Sequence, residues 1–332
     1  MTASLIVPVR NGERVIARCL QALGIQDLDR DYEVIVVDDG STDGTRDTVL
    51  LFPHAHLICQ PPQGAAAARN RGWAIAQGDI ILFTDADCAP QSDWARQLIT
   101  ALERTGAAGA RGVYATQQRS LVARFVQVEY ETRYRRAADG ESIDFVDTYS
   151  AAYRRQVLEE VGGFDERFLR DEDQELSFRV TERGHRLIFV PSAIVDHLHA
   201  RTVWAYARKK FYTSFWKVPV LKKHPGKAVR DSHTPQWLKV QIVLAGLLAL
   251  AALGALWLPN LLAVAGVLAV ALFVSWLPFL SYAARRDPPT LLVAPFLLLV
   301  RAYALGLGML WGMVKLALAS PLEAPSRDAQ RD

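Results

Sequence analysis

Cysteine and net charge are both scarce in this sequence. Its three cysteines, Cys19, Cys59 and Cys88, include no CxxC pair, a pattern that indicates neither a disulfide framework nor a zinc site and is compatible with a reducing cytosol. The N-terminus has neither a basic segment nor a long apolar one, so we do not interpret it as a signal peptide. The formal net charge of +3 identifies no class of partner, because it averages two halves of unlike composition.

The two halves differ in hydrophobicity. Residues 1–200 have a mixed composition, whereas residues 237–318 are almost entirely apolar and rich in Leu, Ala, Val and Gly. A length of 332 residues is typical of one or two domains. We therefore expect four regions, namely a folded domain over 1–200, an interfacial basic segment over 201–236, a transmembrane region over 237–318 and a polar tail over 319–332.

Short apolar runs alternate with helical patterns in the first half. The run at residues 33–38 is continuously hydrophobic up to its final carboxylate, as in strands that are buried on both faces. Apolar residues between 15 and 23 recur at helical spacing. Further strands are predicted at residues 4–9, 57–58, 80–83 and 109–116. This alternation predicts an α/β domain with a mostly parallel, doubly wound sheet.

A pair of carboxylates, Asp85 and Asp87, follows the apolar run at residues 80–83. Side chains alternate along an extended chain, so the two carboxylates are expected to project to the same side. At the C-terminal end of a strand, where open α/β sheets bind their ligands, such a pair suits Mg²⁺ or Mn²⁺ with phosphate oxygens as the other ligands. An isolated Asp-x-Asp motif is also found where a strand simply ends in a polar turn. The neighbouring motifs are therefore needed to distinguish a metal site from such a turn.

Three further motifs accompany this pair, each at a strand end or a helix start. They are Val7-Pro8-Val9-Arg10-Asn11, Val36-Val37-Asp38-Asp39-Gly40-Ser41-Thr42-Asp43 and Ala68-Arg69-Asn70-x-Gly72. Together with Thr84-Asp85-Ala86-Asp87, they resemble the family 2 glycosyltransferases of the GT-A fold over residues 3–200. The resemblance implies a GT-A nucleotide-sugar-binding (Rossmann-like) α/β domain, which an all-α transmembrane region follows in this chain.

The resemblance also implies site residues. It assigns Asp85 and Asp87 to a DxD motif that faces the ribose and holds Mg²⁺ or Mn²⁺ on the diphosphate, and Asp87 is our first choice for direct coordination. Arg69 is equally consistent with a surface or capping residue. The implied nucleotide-binding residues are Pro8, Val9, Arg10, Asn11, Asp38, Asp39, Gly64, Arg69, Asn70, Asp85, Ala86 and Asp87.

Glu172-Asp173, at a predicted helix start, resembles the ED motif of the same family, in which the aspartate is the catalytic base. A sugar hydroxyl is a poor nucleophile until a carboxylate removes its proton, so we predict Asp173 as the base and Glu172 as its helper. Asp171 and Glu175 are alternatives in this acidic run. An acidic first turn that the helix dipole favours explains the acids, but it does not explain the companion motifs.

Two histidines, His197 and His199, follow Pro191 and a further predicted strand. In some relatives a histidine at this point approaches the metal or the diphosphate, and neutral imidazole is a reasonable ligand of Mn²⁺. We favour His197 over His199 as a metal ligand, with a structural or surface histidine as the alternative. The segment from Phe125 to Arg136 fits either a surface helix or an acceptor contact.

The second half is typical of a membrane protein. Aromatic and basic residues are interleaved from Trp204 to Lys223, which suits a helix lying against anionic lipid headgroups. We discount a nucleic-acid surface, because a hydrophobic span follows directly. Spans are predicted at Val240–Leu258, Leu261–Ala284 and Leu291–Val314. Arg301 interrupts the third, and it could snorkel, pack inside the bundle or pair with an anionic lipid.

These features predict a multi-pass protein of the inner membrane. Basic residues before the first span and at Arg285-Arg286 place the catalytic domain in the cytosol by the positive-inside rule. The expected activity is metal-dependent, inverting transfer of a sugar from a nucleotide diphospho-sugar, with UDP as the expected nucleotide. The expected acceptor is a hydroxyl of a lipid-linked saccharide or glycolipid, as in cell-envelope or polysaccharide biosynthesis.

Four alternatives remain open to different degrees. A polyprenyl-phosphate acceptor is close, but an ionised phosphate has little need of a base such as Asp173. A non-catalytic membrane protein that binds nucleotide sugars is a second alternative. A processive polysaccharide synthase is disfavoured, because the chain lacks the Gln-x-x-Arg-Trp motif. A nucleotidyltransferase is disfavoured because Arg10-Asn11-Gly12 is too sparse for a glycine-rich phosphate loop.

Overall fold

The computed structural model describes residues 2–138, 140, 142–229 and 234–318. The chain divides into two compact units. The first comprises Met1–Gln117 and Arg133–Leu198, and the second comprises Gln118–Thr132 and His199–Asp332. The predicted polar tail over 319–332 and residues 230–233 of the predicted interfacial segment lie outside the described residues.

The first unit contains an eight-stranded sheet. Its strands are β1 (Ala3–Val9), β2 (Tyr32–Asp39), β3 (Ala55–Gln60), β4 (Ile80–Phe83), β5 (Cys88–Pro90), β6 (Gly109–Ala115), β7 (Ala151–Arg154) and β8 (Leu187–His197). Their order across the sheet is β3-β2-β1-β4-β7-β6-β8-β5. Strands β1 to β4 are mutually parallel, so the loops that follow them lie at one edge of the sheet.

The prediction of a mostly parallel sheet is correct for β1 to β4 and needs correction beyond them. Strand β6 runs parallel to β8, but β7 is antiparallel to both of its neighbours and β5 is antiparallel to β8. Strands β5 and β7 contain 3 and 4 residues, which is too short to show a strand pattern in the sequence. The domain is therefore a mixed α/β sheet of Rossmann-like type.

Helices connect these strands. They are α1 (Ile16–Leu23), α2 (Thr45–Leu50), α3 (Ala65–Ile75), α4 (Trp94–Thr105), α5 (Leu121–Ala138), α6 (Arg155–Val161) and α7 (Glu172–Glu182), with a 3₁₀ turn at Thr148–Ser150. Residues of α5 up to Thr132 belong to the second unit.

The sheet is buried on both faces at its centre. The interior residues of β1 and β2 are buried without alternation, which confirms the reading of their continuous apolar runs. Alanines 66–68 of α3 are buried, and a Cβ at Gly72 would lie 2.5 Å from Ile6 Cγ2. Small residues therefore let α3 approach the sheet closely.

The second unit is helical. After the segment from α5 it contains α8 (Val203–Lys223), α9 (Pro225–Val229), α10 (Gln236–Gly254), α11 (Leu261–Arg286) and α12 (Ala294–Leu318), with a 3₁₀ turn at Pro288–Leu292. Helices α10, α11 and α12 are each long and apolar enough to cross a membrane. The three predicted spans are confirmed as helices, although α10 begins and ends four residues before the predicted segment.

Arg301 of α12 packs inside the second unit. Its Nη2 donates to Gln241 Oε1 at 2.8 Å, and its Nη1 lies 3.5 Å from Glu129 Oε1. Glu129 also accepts from Lys210 Nζ at 2.8 Å and from the Tyr206 hydroxyl at 3.1 Å. Of the three roles considered for Arg301, the structure therefore shows packing inside the bundle.

Candidate active site

Three loops at the edge where β1, β2 and β3 end are joined by hydrogen bonds. The Asn11 backbone N–H donates to Ser41 Oγ at 2.8 Å, and Thr42 N–H donates to Asn11 Oδ1 at 2.9 Å. Asn11 adopts φ 53°, a left-handed conformation that asparagine tolerates better than most residues. Predicted nucleotide-binding residues from the first two loops are thus brought together, with Val9 buried, Pro8 half-buried and Arg10 exposed.

The two adjacent carboxylates at the end of β2 are both buried and hold these loops. Asp38 accepts from Arg46 Nε at 2.6 Å and from Ser41 N–H at 3.2 Å. Asp39 accepts from Gly64 N–H at 2.9 Å and from Gln63 N–H at 2.7 Å. Gly64 has φ 102°, which side-chain-bearing residues rarely adopt. Hydrogen bonds and backbone conformation therefore constrain the predicted residues Asp38, Asp39 and Gly64 at this edge of the sheet.

Asp85 and Asp87 lie in a turn, because β4 already ends at Phe83. Cys88 N–H closes this turn on Asp85 O at 3.0 Å. The prediction that the two carboxylates project to the same side of an extended strand is therefore wrong. In the turn, they contact different partners. Asp85 pairs with Arg69 Nη2 at 2.8 Å, whereas Asp87 Oδ1 lies 3.6 Å from His197 Nδ1. Ala86 between them is half-buried.

Asp87, Cys88 and His197 form a cluster of possible metal ligands. One ligand atom from each lies within 4.8 Å of the others, because Cys88 and His197 are paired across β5 and β8. Tyr114 stacks on the imidazole with ring centroids 4.3 Å apart. Burial raises the pKa of the Cys88 thiol, and the carboxylates of Asp87 and Asp85 raise it further. The carboxylate and imidazole donors fit a divalent ion such as Mn²⁺.

The two histidines are separated by the fold. His197 belongs to the first unit and faces Asp87, whereas His199 belongs to the second. There, His199 Nε2 lies 2.9 Å from Gln127 Oε1, and its backbone N–H donates to Gln118 Oε1. This placement supports the choice of His197 as the histidine beside the DxD turn.

Arg69 links the DxD turn to the start of α7. It is buried, and its guanidinium binds Asp85 through Nη2 and Glu172 through Nη1. Burial opposes the charge of Arg69, but the two carboxylates outweigh that cost and raise its pKa. The alternative that Arg69 is a surface residue is therefore wrong. Glu172, predicted as a helper, forms a salt bridge with this arginine.

Asp173 lies in the first turn of α7, as predicted, and is ringed by acids. Burial raises its pKa well above the ordinary value for aspartate, and Glu172, Asp147 and Asp171 raise it further, while Arg69 opposes the shift. Its Oδ1 accepts from Gln174 N–H at 2.8 Å. A carboxylate with a raised pKa is a stronger base than a solvated one, which suits proton abstraction from a hydroxyl.

Asn70 has a structural role in this geometry. Its amide nitrogen donates to Phe164 O and Glu166 Oε1, and its amide oxygen accepts from Phe164 N–H and Trp73 Nε1. These contacts use all four hydrogen-bonding positions of the amide. The predicted nucleotide contact of Asn70 stays a prediction that these hydrogen bonds do not support.

Sequence reasoning missed two contributors to the site. Asp147, which pairs with Arg111 at 3.0 Å, raises the pKa of Asp173 although the two are far apart in the chain. Cys88 lies directly after the DxD motif, so its position was a signal, but cysteine spacing alone indicated no metal site.

Asp171 and Glu175 were the alternatives to Asp173 in the acidic run. Asp171 is at the helix N-cap with φ 59°, and Glu175 pairs with Arg179 at 2.7 Å.

Comparisons with known proteins agree with this geometry. The sequence model of Glycosyl transferase family 2 matches residues 4–162. Among curated relatives, a probable glycosyltransferase, YdaM of Bacillus subtilis, is 31% identical over 65% of this chain and 58% of its own length. The pre-mycofactocin glycosyltransferase of Mycobacterium tuberculosis is 29% identical over 68% of this chain and 48% of its own length. The chain thus spans about half the length of these relatives.

The fold also has a counterpart among solved structures. The mannosyltransferase PcManGT from Pyrobaculum calidifontis, solved with GDP-Man and Mn²⁺, superposes with a TM-score of 0.58 at 22% identity, covering 95% of this chain and 87% of the other. This similarity establishes a shared fold. Together with the matched family sequence, it leads to one conclusion: residues 4–162 carry a glycosyltransferase family 2 domain, and the chain has the GT-A fold.

Proposed function

We propose that this protein transfers a sugar from a nucleotide diphospho-sugar to a hydroxyl group of a lipid-linked saccharide or glycolipid, with inversion at the anomeric carbon. The observation that carries the proposal is the position of Asp173 in the first turn of α7, in the same unit as the DxD turn. Arg69 joins the two through Asp85 and Glu172. One buried side chain thus connects the donor motif to the base motif.

The donor binds at the edge formed by the loops after β1 to β4. Asp39 and the Asn11 loop would contact the nucleoside, and Asp87 with His197 would hold Mg²⁺ or Mn²⁺. A bound ion supplies charge stabilisation for the departing nucleotide diphosphate. We propose a UDP-sugar donor, although PcManGT was solved with GDP-Man, so an assay has to compare both nucleotides.

Asp173 removes the proton of the acceptor hydroxyl as its oxygen attacks the anomeric carbon. Attack from the face opposite the leaving diphosphate inverts the configuration at that carbon. A phosphate acceptor is already ionised and needs no base, so the raised pKa of Asp173 favours a hydroxyl over a polyprenyl phosphate.

The acceptor is proposed to be membrane-bound, because the same chain carries three helices apolar enough to span a bilayer. Arg285 and Arg286 end α11, and Lys222 and Lys223 end α8. By the positive-inside rule these ends face the cytoplasm, which supports a multi-pass protein of the inner membrane with a cytoplasmic catalytic unit.

The test is donor-dependent nucleotide release by the full-length protein in detergent. UDP-, GDP- and dTDP-sugars are screened with Mg²⁺ or Mn²⁺, with and without a membrane lipid extract. We expect one donor to give lipid-stimulated release. Asp173→Asn should lower turnover by about 10²–10⁴-fold, the usual contribution of a general base, while donor binding is kept. Asp87→Asn should weaken metal-dependent donor binding itself.

Two outcomes would contradict the proposal in different ways. If Asp173→Asn turns over like the wild type, Asp173 is not the base, and a phosphate acceptor becomes the better hypothesis. If the wild type binds a nucleotide sugar but transfers nothing with any extract, the protein is a nucleotide-sugar-binding membrane protein without catalysis.

A further inference from the structure

The ligand atoms of Asp87, Cys88 and His197 form a nearly equilateral triangle. Cys88 Sγ lies 3.7 Å from His197 Nδ1 and 3.6 Å from Asp87 Oδ1, and the Nδ1 and Oδ1 atoms are 3.6 Å apart. Both sulfur distances are those of weak hydrogen bonds of the Cys88 thiol, so the thiol lies between the carboxylate and the imidazole and contacts both.

The spacing matches that of ligands around one small cation. Tetrahedral zinc bonds sulfur at about 2.3 Å and nitrogen or oxygen at about 2.0–2.2 Å, which places the ligand atoms roughly 3.3–3.7 Å from one another. Sites of this kind often have three protein ligands and leave one position open for water or a substrate oxygen.

The backbone holds the triangle in place. Cys88 and His197 are register partners in adjacent antiparallel strands, and Asp87 directly precedes Cys88. The Cys88 N–H bond to Asp85 O fixes the turn, and Tyr114 stacks on the imidazole ring. Cys88 and His197 are buried while the Asp87 side chain is 45% exposed, so the triangle is open towards solvent on the carboxylate side.

We propose that Cys88 is a third protein ligand of the metal site, and that it makes the site bind Zn²⁺ or Co²⁺ through a metal–thiolate bond. This inference rests on the proposed metal site of the transferase and adds to it the thiol, which neither the DxD motif nor the histidine accounts for. Thiolate and imidazole favour these borderline ions, whereas Mg²⁺ prefers oxygen ligands alone. The thiol proton is released to solvent when the metal–sulfur bond forms.

A consequence is that Zn²⁺ competes with Mg²⁺ or Mn²⁺ for the same site. Mg²⁺ uses the Asp87 carboxylate and gains little from sulfur. A thiol-to-hydroxyl change at Cys88 should therefore separate the two classes of ion, weakening Zn²⁺ and Co²⁺ much more than Mg²⁺ or Mn²⁺.

The experiment is a Co²⁺ titration of the full-length protein in detergent, followed by absorption. The wild type should develop a near-ultraviolet thiolate-to-cobalt charge-transfer band that saturates at one equivalent and is displaced by Zn²⁺. Cys88→Ser should lose the band and bind Co²⁺ at least about tenfold more weakly, since even changes outside the first ligand shell cost 10–100-fold in affinity. Its affinity for Mn²⁺, measured from free Mn²⁺ by electron paramagnetic resonance, should change less than twofold.

The other two cysteines supply matched controls. Cys59 is exposed and Cys19 is buried beside Asp85 O. Cys59→Ser and Cys19→Ala should both keep the band, which assigns it to Cys88 even if Cys88→Ser folds poorly. A wild type that binds Co²⁺ without a thiolate band, or a band that survives in Cys88→Ser, would overturn the proposal.

Failure of this proposal is distinguishable from failure of the transferase proposal. Donor-dependent nucleotide release with Mg²⁺ or Mn²⁺ in the absence of a thiolate band leaves the transferase standing and removes Cys88 as a ligand. A thiolate band without turnover of any donor keeps the metal–thiolate bond and removes the transferase.

Discussion

The raised pKa of Asp173 affects both activity and stability. Burial and three neighbouring acids raise this pKa, yet the carboxyl group must be ionised to act as a base. We therefore expect kcat to rise with pH through a pKa well above the ordinary 3.8 of aspartate. The measurement is the pH dependence of donor turnover at saturating acceptor. A rate that is already maximal near the ordinary pKa would contradict the assignment.

The same shift predicts that Asp173→Asn stabilises the folded chain. Because the folded chain binds this proton more tightly than the unfolded chain, its stability falls as pH rises through the window between the two pKa values. Asparagine removes that penalty, so the variant should gain on the order of 1 kcal/mol above the window, a common size for relieved active-site strain. Below the pKa of the unfolded chain, the gain should vanish.

Thermal unfolding at several pH values measures this gain. Glu159→Gln is the matched control, since Glu159 is an exposed acid on α6 and its substitution should leave the unfolding temperature nearly unchanged. If Asp173→Asn is less stable than the wild type at neutral pH, the ring of acids does not destabilise the fold.

At the residue scale, the sequence located the motifs but not their partners. Glu172-Asp173 at a helix start and the His197 position were readable, because local motifs carry them. The effect of Asp147 on Asp173 and the separation of His197 from His199 were not, because both arise from tertiary contacts between distant segments.

At the scale of elements, Arg69 joins the turn after β4 to the first turn of α7. Removing one partner of a buried ion pair leaves uncompensated charge and typically costs about 3–5 kcal/mol. Arg69→Met should therefore lower the thermal unfolding temperature. Arg69→Lys should recover only part of the loss, since an ammonium cannot reproduce the two-pronged contact with Asp85 and Glu172.

The charge of Arg69 also lowers the pKa of Asp173. A test of this electrostatic effect distinguishes it from a purely structural role of Arg69. In Arg69→Lys, any residual activity should have its acidic limb displaced to higher pH relative to the wild type. Arg71→Met, at an exposed position of the same helix, is the control for both measurements. An unshifted pH profile with lowered stability would reduce Arg69 to a structural residue.

The elements themselves were predictable to different degrees. Strands β1, β2 and β4 are continuous apolar runs, and each was predicted from that pattern. The three helices that are apolar enough to cross a membrane were equally clear from length and composition. Strands β5 and β7 were missed because small residues and short length give no periodicity, and their pairing depends on neighbours that are distant in sequence.

At the scale of the whole molecule, the buried charges of the second unit couple four helices. Glu129 on α5 contacts Lys210 on α8 and Arg301 on α12, and Arg301 contacts Gln241 on α10. Glu129→Gln leaves the buried Arg301 and the half-buried Lys210 without this carboxylate, whereas Arg301→Gln leaves Glu129 paired with Lys210. We therefore expect Glu129→Gln to be the more destabilising variant, by up to the 3–5 kcal/mol that a broken buried pair costs.

Thermal unfolding in detergent ranks these variants. The double variant should lose less than the sum of the single losses, because the two side chains interact directly. Arg285→Gln, at an exposed position, should be near neutral. Additive losses would show that Glu129 and Arg301 do not stabilise one another.

The division of the chain makes a final prediction about truncation. The sequence suggested a domain ending at residue 200, but residues 118–132 group with the helices that follow Leu198. Phe125 and Glu129 in this segment are buried, and their contacts include Tyr206, Phe279 and Lys210. A protein of residues 1–200 exposes that apolar and acidic surface, so we expect it to aggregate or unfold at lower temperature.

Size-exclusion chromatography compares this truncated protein with a 1–200 variant carrying Phe125→Gln, whose more polar surface should raise the monomer fraction. A wild-type truncation that is monomeric and unfolds cooperatively would mean that residues 118–132 need no partners from the second unit.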